Sequence, residues 1–416
     1  MGKIKQTVRQ DGLRIITKKL TYTQKVMFSV TSLMGSANDS EESLGLAHYF
    51  EHMVFQGTKN RDKDELERLL ALYCITHNAD TSHLRTRYYG ESAKINYKKM
   101  VEVILDMYCN PIFPEDRIEN ERGVINNEII MRHSSDDITV SENIITALYG
   151  DKSLAGRGVI GSKETIATVN REVLLKMHKE YYSPANSVIV VTGDVSHSEV
   201  VKMVNRFFPR IVGNYKSQKI EWNNDSCSLP SSQIIQEERP GRECALLCLG
   251  VKLKNFDFKE RVILSILVKY FRKIVFDELR QKRGLVYTAG AYLNSERPLY
   301  NTFCLYAETA VANLDEIKKL MTEIILNKVC LEKYIEDIKQ RILAESSVSL
   351  ETTGDWNRAI LGRVVLGEDD VSSLDNYFKN ISEALNSIDL GMVERIFYEN
   401  LNHKDNLAFS IVTNKI

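Results

Sequence analysis

Glu164 to Asp194 (ETIATVNREVLLKMHKEYYSPANSVIVVTGD) and Glu383 to Asn414 (EALNSIDLGMVERIFYENLNHKDNLAFSIVTN) carry one pattern twice. Each reads as an amphipathic helix, a short polar turn containing asparagine, and a β-branched strand. The two turn asparagines, Asn186 and Asn406, are 220 residues apart. Working outward, Phe28 to Gly35 corresponds in kind to Ala245 to Leu253, and Arg87 to Ile95 to Tyr300 to Glu308. The apolar helix around residues 44–55 likewise corresponds to Glu260 to Phe271. The pattern predicts two copies of one α+β unit of roughly 200 residues, an ordinary domain size. Strands such as Ser187 to Thr192 and Leu407 to Val412 are expected in mostly antiparallel sheets. Helices such as Lys99 to Tyr108 and Glu172 to Tyr182 have one apolar stripe and would cover a sheet face. The expected boundaries are 1–212 and 233–416, joined by a polar linker at 213–232 in which Gly-Asn, Asn-Asn-Asp-Ser and Leu-Pro-Ser-Ser interrupt any periodicity.

Bulk properties narrow the class. Hydrophobic residues make up 43% and charged residues 27% of 416, and seven prolines leave little room for disorder. A formal net charge of −1 gives no reason to expect nucleic acid or an anionic membrane as partner. The seven cysteines are scattered without a CxxC pair and read as reduced thiols, which points to the cytoplasm. Residues 1–20 lack the apolar core of a signal peptide, and no run reaches the ~18 apolar residues of a membrane helix.

One segment carries chemistry. His48-Tyr49-Phe50-Glu51-His52 lies in an apolar helix closed by Gln56-Gly57-Thr58. Histidines four apart stand on one helix face and can reach one ion, and Glu51 points to nearly the same side. Two imidazoles and a carboxylate base are what hydrolysis by zinc-bound water requires, in the HxxEH order of the inverzincins. A satisfied core or surface histidine is the commoner fate of a single helical His, but titratable groups rarely share an apolar stripe without a partner. A third ligand is expected on a second helix, Glu119 to Ile130. Glu121 and Glu128, two turns apart, share a face there, and spacing alone leaves both open.

With these residues in hand the chain resembles the pitrilysin, insulin-degrading enzyme and mitochondrial processing peptidase family. In that family an HxxEH helix is followed about 75 residues later by a ligand glutamate, with another essential glutamate seven before it; here 75 residues separate His52 from Glu128, and Glu121 stands seven before. The resemblance makes His48, His52 and Glu128 the ligands of one Zn2+ per chain, Glu51 the general base and Glu121 a supporting acid. Asn78-Ala79-Asp80-Thr81, with Thr86 and Tyr88-Tyr89, resembles the family's active-site strand, whose edge pairs with the substrate backbone, so Asn78, Ala79 and Thr81 are expected to bind substrate. Arg280 and Tyr287, within Leu279 to Tyr287, match an R-x3-G-L-x-Y element that binds substrate or stabilises the oxyanion. The implied fold is two homologous α+β units facing each other across a closed chamber, the second non-catalytic.

The implied activity is zinc-dependent endopeptidase cleavage of short or unfolded peptides. The alternative is a non-catalytic scaffold or partner subunit, which would be expected to have lost part of the motif. A homodimer is favoured, against a heterodimer with a zinc-lacking homologous subunit. Three stretches depart from the family: Cys74-Ile75-Thr76-His77 replaces its glycines, Ser134 to Ile138 lacks its Asp-x-Pro, and Lys152-Ser153-Leu154 replaces its His-Pro-Leu. Gly156-Arg157-Gly158-Val159-Ile160-Gly161 is literally GxGxxG, but it follows a polar turn and not a buried parallel strand, so it is not read as a dinucleotide site.

Overall fold

The computed structural model describes residues 2–209 and 233–414; the expected linker 213–232 lies outside them. Contacts divide the chain into two compact units. The first holds six strands, β1 (Ile4–Val8), β2 (Arg14–Lys19), β3 (Lys25–Ser32), β4 (Thr76–Thr81), β5 (Thr86–Ala93) and β6 (Ser187–Gly193), in the order β1-β2-β6-β3-β5-β4. The second holds β7 (Ile234–Glu238), β8 (Cys244–Lys252), β9 (Val286–Glu296), β10 (Tyr300–Ala310) and β11 (Leu407–Thr413), in the order β7-β11-β8-β10-β9. Only β2–β6 and β7–β11 pair in parallel; the other ladders are antiparallel. Without β1 the two orders are the same, with β3 matching β8, β5 matching β10 and β6 matching β11, as the sequence repeat predicts. The fold is therefore α+β with an internal repeat. All seven residues of β6 are buried, which explains its unbroken apolar run: a central strand covered on both faces shows no alternation.

The chain up to Gly150 forms the α-helices α1 (Leu46–Met53), α2 (Lys63–Leu72), α3 (Tyr97–Cys109), α4 (Glu115–Ser134) and α5 (Asp136–Tyr149). In the first unit α1 and α3 bury Tyr49, Phe50, Met53, Met100, Ile104 and Tyr108 against β3 and β5. No helix among the described residues is long and apolar enough to cross a membrane.

The units are not contiguous in sequence. The first comprises Met1–Ile130, Gly158–Glu221 and Ser349–Tyr377, the second Met131–Arg157, Trp222–Val348 and Phe378–Ile416. The expected cut at 212 and 233 assigns two of these stretches the other way, and the physical reason is local. Helix α5 buries Val140, Ile144 and Leu148 with Leu246, Cys248 and Val412 of the second sheet. The helix Thr353–Val365 buries Trp356, Ile360 and Val364 with Ile16, Val188 and Val190 of the first, where Asn357 donates to the Val190 carbonyl at 3.0 Å. An amphipathic helix ranks as part of whichever core receives its stripe, and periodicity alone does not name the receiver.

The segment that departs from the family before Asn78 also has a physical reading. Cys74 closes α2 with φ +47. Its N–H donates to the Ala71 carbonyl at 3.0 Å and the Ile75 N–H to the Leu70 carbonyl at 2.9 Å, the paired bonds of a Schellman motif, whose left-handed position favours glycine. Replacing Cys74 with Gly should therefore stabilise the protein by about 1 kcal/mol, a rise of roughly 2–4 °C in the melting temperature. An unchanged or lower melting temperature would contradict a strained closure.

Candidate metal centre

The apolar stripe of α1, formed by Leu46, Ala47, Tyr49, Phe50 and Met53, is buried, which leaves His48, Glu51 and His52 on the opposite side. The rings of His48 and His52 lie 4.8 Å apart between centroids. From α4, Glu128 Oε2 comes within 3.6 Å of both His48 Nε2 and His52 Nε2. Each of the three residues offers a ligand atom within 4.8 Å of the others, the one such group of three or more found among the described residues. Ligands of a tetrahedral zinc ion stand on the order of 3.3 Å apart, so the spacing fits a single ion. Glu121, the alternative left open by spacing, does not join this group. It lies behind His52, where Oε2 is 3.0 Å from Nδ1 and Oε1 accepts from Gln56 Nε2 at 2.9 Å. A carboxylate on Nδ1 holds the proton there and leaves the Nε2 lone pair directed at the metal position. Burial alone would lower the His52 pKa, but the Glu121 and Glu128 carboxylates carry it up to about 9, so proton and metal compete for this ring.

Glu51 sits beside this group of three without belonging to it. Its Oε2 accepts from the Thr81 hydroxyl of β4 at 2.5 Å, which fixes the carboxylate. Burial pushes the Glu51 pKa up to about 7, with the Thr81 bond and His52 opposing and Asp80 and Glu128 adding to the rise. A carboxylate that exchanges its proton near neutrality suits a general base that must later act as an acid.

Several residues that sequence reasoning did not single out place α1. Asp39 is buried and accepts from the Gly45 N–H at 3.1 Å and the Ala47 N–H at 3.2 Å, satisfying the start of the helix from a distance in sequence that no capping pattern covers. Burial raises its pKa to about 8. The Tyr49 hydroxyl donates to the Ile118 carbonyl and so ties α1 to α4, while Gln56 clasps Glu121. Gly45 has φ +90, and a Cβ there would meet the Ile160 carbonyl oxygen at 2.3 Å. Its counterpart is Gly161, φ +75, whose Cβ would meet the Leu44 carbonyl oxygen at 2.1 Å. The last glycine of the GxGxxG run is thus needed for close backbone approach to the histidine helix and not for phosphate.

The remaining expected site residues lie elsewhere. Asn78 Oδ1 accepts from the Ala79 N–H at 2.9 Å, and Ala79 is packed into the core. Both belong to β4, the end strand of its sheet. Arg280 and Tyr287 belong to the second unit. There Arg280 Nη1 donates to the Val286 carbonyl at 2.7 Å, and its guanidinium lies 5.7 Å from the centroid of the Tyr287 ring, which is 76% exposed.

Comparison with known proteins agrees with this geometry. The family model described as insulinase (peptidase family M16) matches residues 14–159, and that of the peptidase M16 inactive domain matches residues 168–340. The chain belongs to peptidase family M16. An uncharacterized zinc protease of Rickettsia bellii is 27% identical over 345 residues, 82% of this chain and 81% of that one. The uncharacterized zinc protease YmxG of Bacillus subtilis is 25% identical over 401 residues, 94% of each chain. In fold, a protease from Helicobacter pylori superposes with a TM-score of 0.84 at 21% identity, covering 99% of this chain and all (100%) of that one.

The last two glycines of the same run provide a controlled test. Gly161→Ala should cost about 2 kcal/mol or more and weaken zinc binding, since a left-handed backbone and a backbone clash coincide there. Gly158, with nothing within 4 Å of an added Cβ, should accept alanine with little effect. Thermal melts and zinc titration of both variants check this; equal effects would contradict the packing role.

Proposed function

We propose that this chain is a zinc-dependent endopeptidase acting on short or unfolded peptides. The observation that carries the reading is the convergence of His48, His52 and Glu128, with Glu51 beside them and Glu121 behind His52. His48 Nε2, His52 Nε2 and Glu128 would hold the ion. Bound zinc supplies Lewis acidity, activating a water near neutral pH and polarising the scissile carbonyl. Glu51, oriented by Thr81, accepts the proton of the attacking water and returns it to the leaving amine. The substrate backbone adds to the end strand β4 as a further strand, past Asn78, Ala79 and Thr81. Arg280 and Tyr287 are assigned to binding near the developing oxyanion. A cytoplasmic setting is supported by the free thiols at Cys74, Cys109, Cys244, Cys248, Cys304 and Cys330.

Glu51→Gln should lower kcat by about 10²–10⁴-fold while zinc content stays at one per chain. Cleavage at the wild-type rate would reject Glu51 as the base.

The second reading, a non-catalytic scaffold or the partner of a zinc-bearing homologue, draws on the inactive-domain model that matches residues 168–340. The intact ligand set argues against it for the whole chain. We favour a homodimer, since one chain carries both the zinc ligands and the Arg280–Tyr287 pair. Sedimentation of the purified zinc-loaded protein, with a peptidase assay on each fraction, should find activity in the dimer of this chain alone. An inactive monomer that gains activity only with another subunit would overturn the homodimer.

A further inference from the structure

The β4–β5 hairpin carries a charged cluster that the hydrolytic machinery does not use. Asp80 and Arg87 are directly opposed across the ladder, as are Thr81 and Thr86. Side chains alternate along a strand, so Asp80 and Arg87 occupy the sheet face opposite to Thr81 and Glu51. Arg87 Nε donates to Asp80 Oδ2 at 2.7 Å and its Nη2 lies 2.6 Å from the same oxygen, while Arg85, in the turn, holds the other oxygen. Two guanidinium groups thus share one carboxylate, which leaves a net positive charge. The Arg87 guanidinium stacks over the Tyr89 ring at 4.2 Å. Arg87 is only 6% exposed, and its Nη1 is buried without a hydrogen-bond partner. A buried charged donor without an acceptor is costly, and an ordered water, an ion or an acceptor on a ligand can complete it. The side chains of Asp80 and Arg85 beside it remain 33% and 23% exposed, so the cluster meets solvent at these two residues.

We propose that Arg85 and Arg87, held by Asp80, form a subsite for a substrate carboxylate, so that peptides with Asp or Glu at one position close to the scissile bond are preferred. The proposal rests on the peptidase reading above for the path of the substrate. A strand added along β4 alternates its own side chains between the two faces. Those on the Thr81 face lie toward Glu51 and the zinc ligands, and their neighbours fall on the Asp80 face, about 3.3 Å further along the chain. A carboxylate there accepts from Arg87 Nη1 and shares Arg85 with Asp80; a planar guanidinium favours such a partner over a neutral amide.

The test uses one cleavable peptide with each position near the bond set in turn to Glu, Gln or Lys, offered to the zinc-loaded full chain. At one position Glu should exceed Gln in kcat/KM by roughly tenfold, with Lys poorest, and the advantage should shrink as salt rises. In Arg87→Gln and in the more exposed Arg85→Gln the ratio should fall toward one, while Arg87→Lys retains part of it. A purely structural Asp80–Arg87 staple would alter stability and leave the ratio intact. The same peptides bound to zinc-loaded Glu51→Gln protein, followed by fluorescence anisotropy, read the subsite without hydrolysis. Tighter binding of the Glu peptide with no cleavage by the wild type would keep the subsite and reject the peptidase. Equal binding of the Glu, Gln and Lys peptides, or a Glu preference that survives both glutamine variants, overturns the subsite.

Discussion

The contact between His52 Nδ1 and the Glu121 carboxylate is where the two halves of the metal centre become one object. It joins two helices through residues 69 apart in sequence and sets which imidazole nitrogen is available to a cation. It also fixes the role of a repeated residue type. Two glutamates two turns apart on α4 face the same way, but the one nearer the base of α1 is taken up by the back of the ring, so the other reaches the front. Gln56 and the Tyr49–Ile118 bond hold the two helices in that register. If α4 slipped by one turn, Glu128 would leave both histidines together.

The clustering of His48, His52 and Glu128 was legible because it depends on helix periodicity, which a sequence displays directly. His48 and His52 had to share a face, and Glu121 and Glu128 had to share another; only the choice between the glutamates required a resemblance. The repeat was legible for a similar reason, since a helix, turn and β-branched strand recur in order and the two sheets have matching strand orders. Hidden features were those made by residues distant in sequence. Asp39 caps α1 across a loop, and no local pattern marks it. Gly45 and Gly161 were each visible as glycines, but their mutual approach was not, and without it the run looked like a failed nucleotide loop. The helices Asp136–Tyr149 and Thr353–Val365 were not assigned from the sequence, and which sheet receives their apolar stripes is settled by tertiary packing.

Strain and burial gather around the reactive groups. Glu51 is held near neutrality by lost hydration, Asp39 by deeper burial, and the backbones of Gly45 and Gly161 approach too closely for any side chain. Such features destabilise the unit locally, and the extensive core beneath α1, with Phe50 against Tyr182 at 4.3 Å and Phe113 at 5.1 Å, offsets them. The result is a rigid helix presenting three polar side chains from an otherwise apolar surface, which is what a preformed ligand set requires.

The central claim is that His48, His52 and Glu128 bind one divalent ion together. X-ray absorption at the zinc edge of the zinc-loaded protein tests it most directly. The account predicts a first shell of nitrogen and oxygen at about 2.0–2.2 Å with imidazole outer-shell scattering from two histidines. A sulfur shell at about 2.3 Å, or a spectrum unchanged when His48 and Glu128 are replaced by alanine, would place the metal elsewhere and contradict the account.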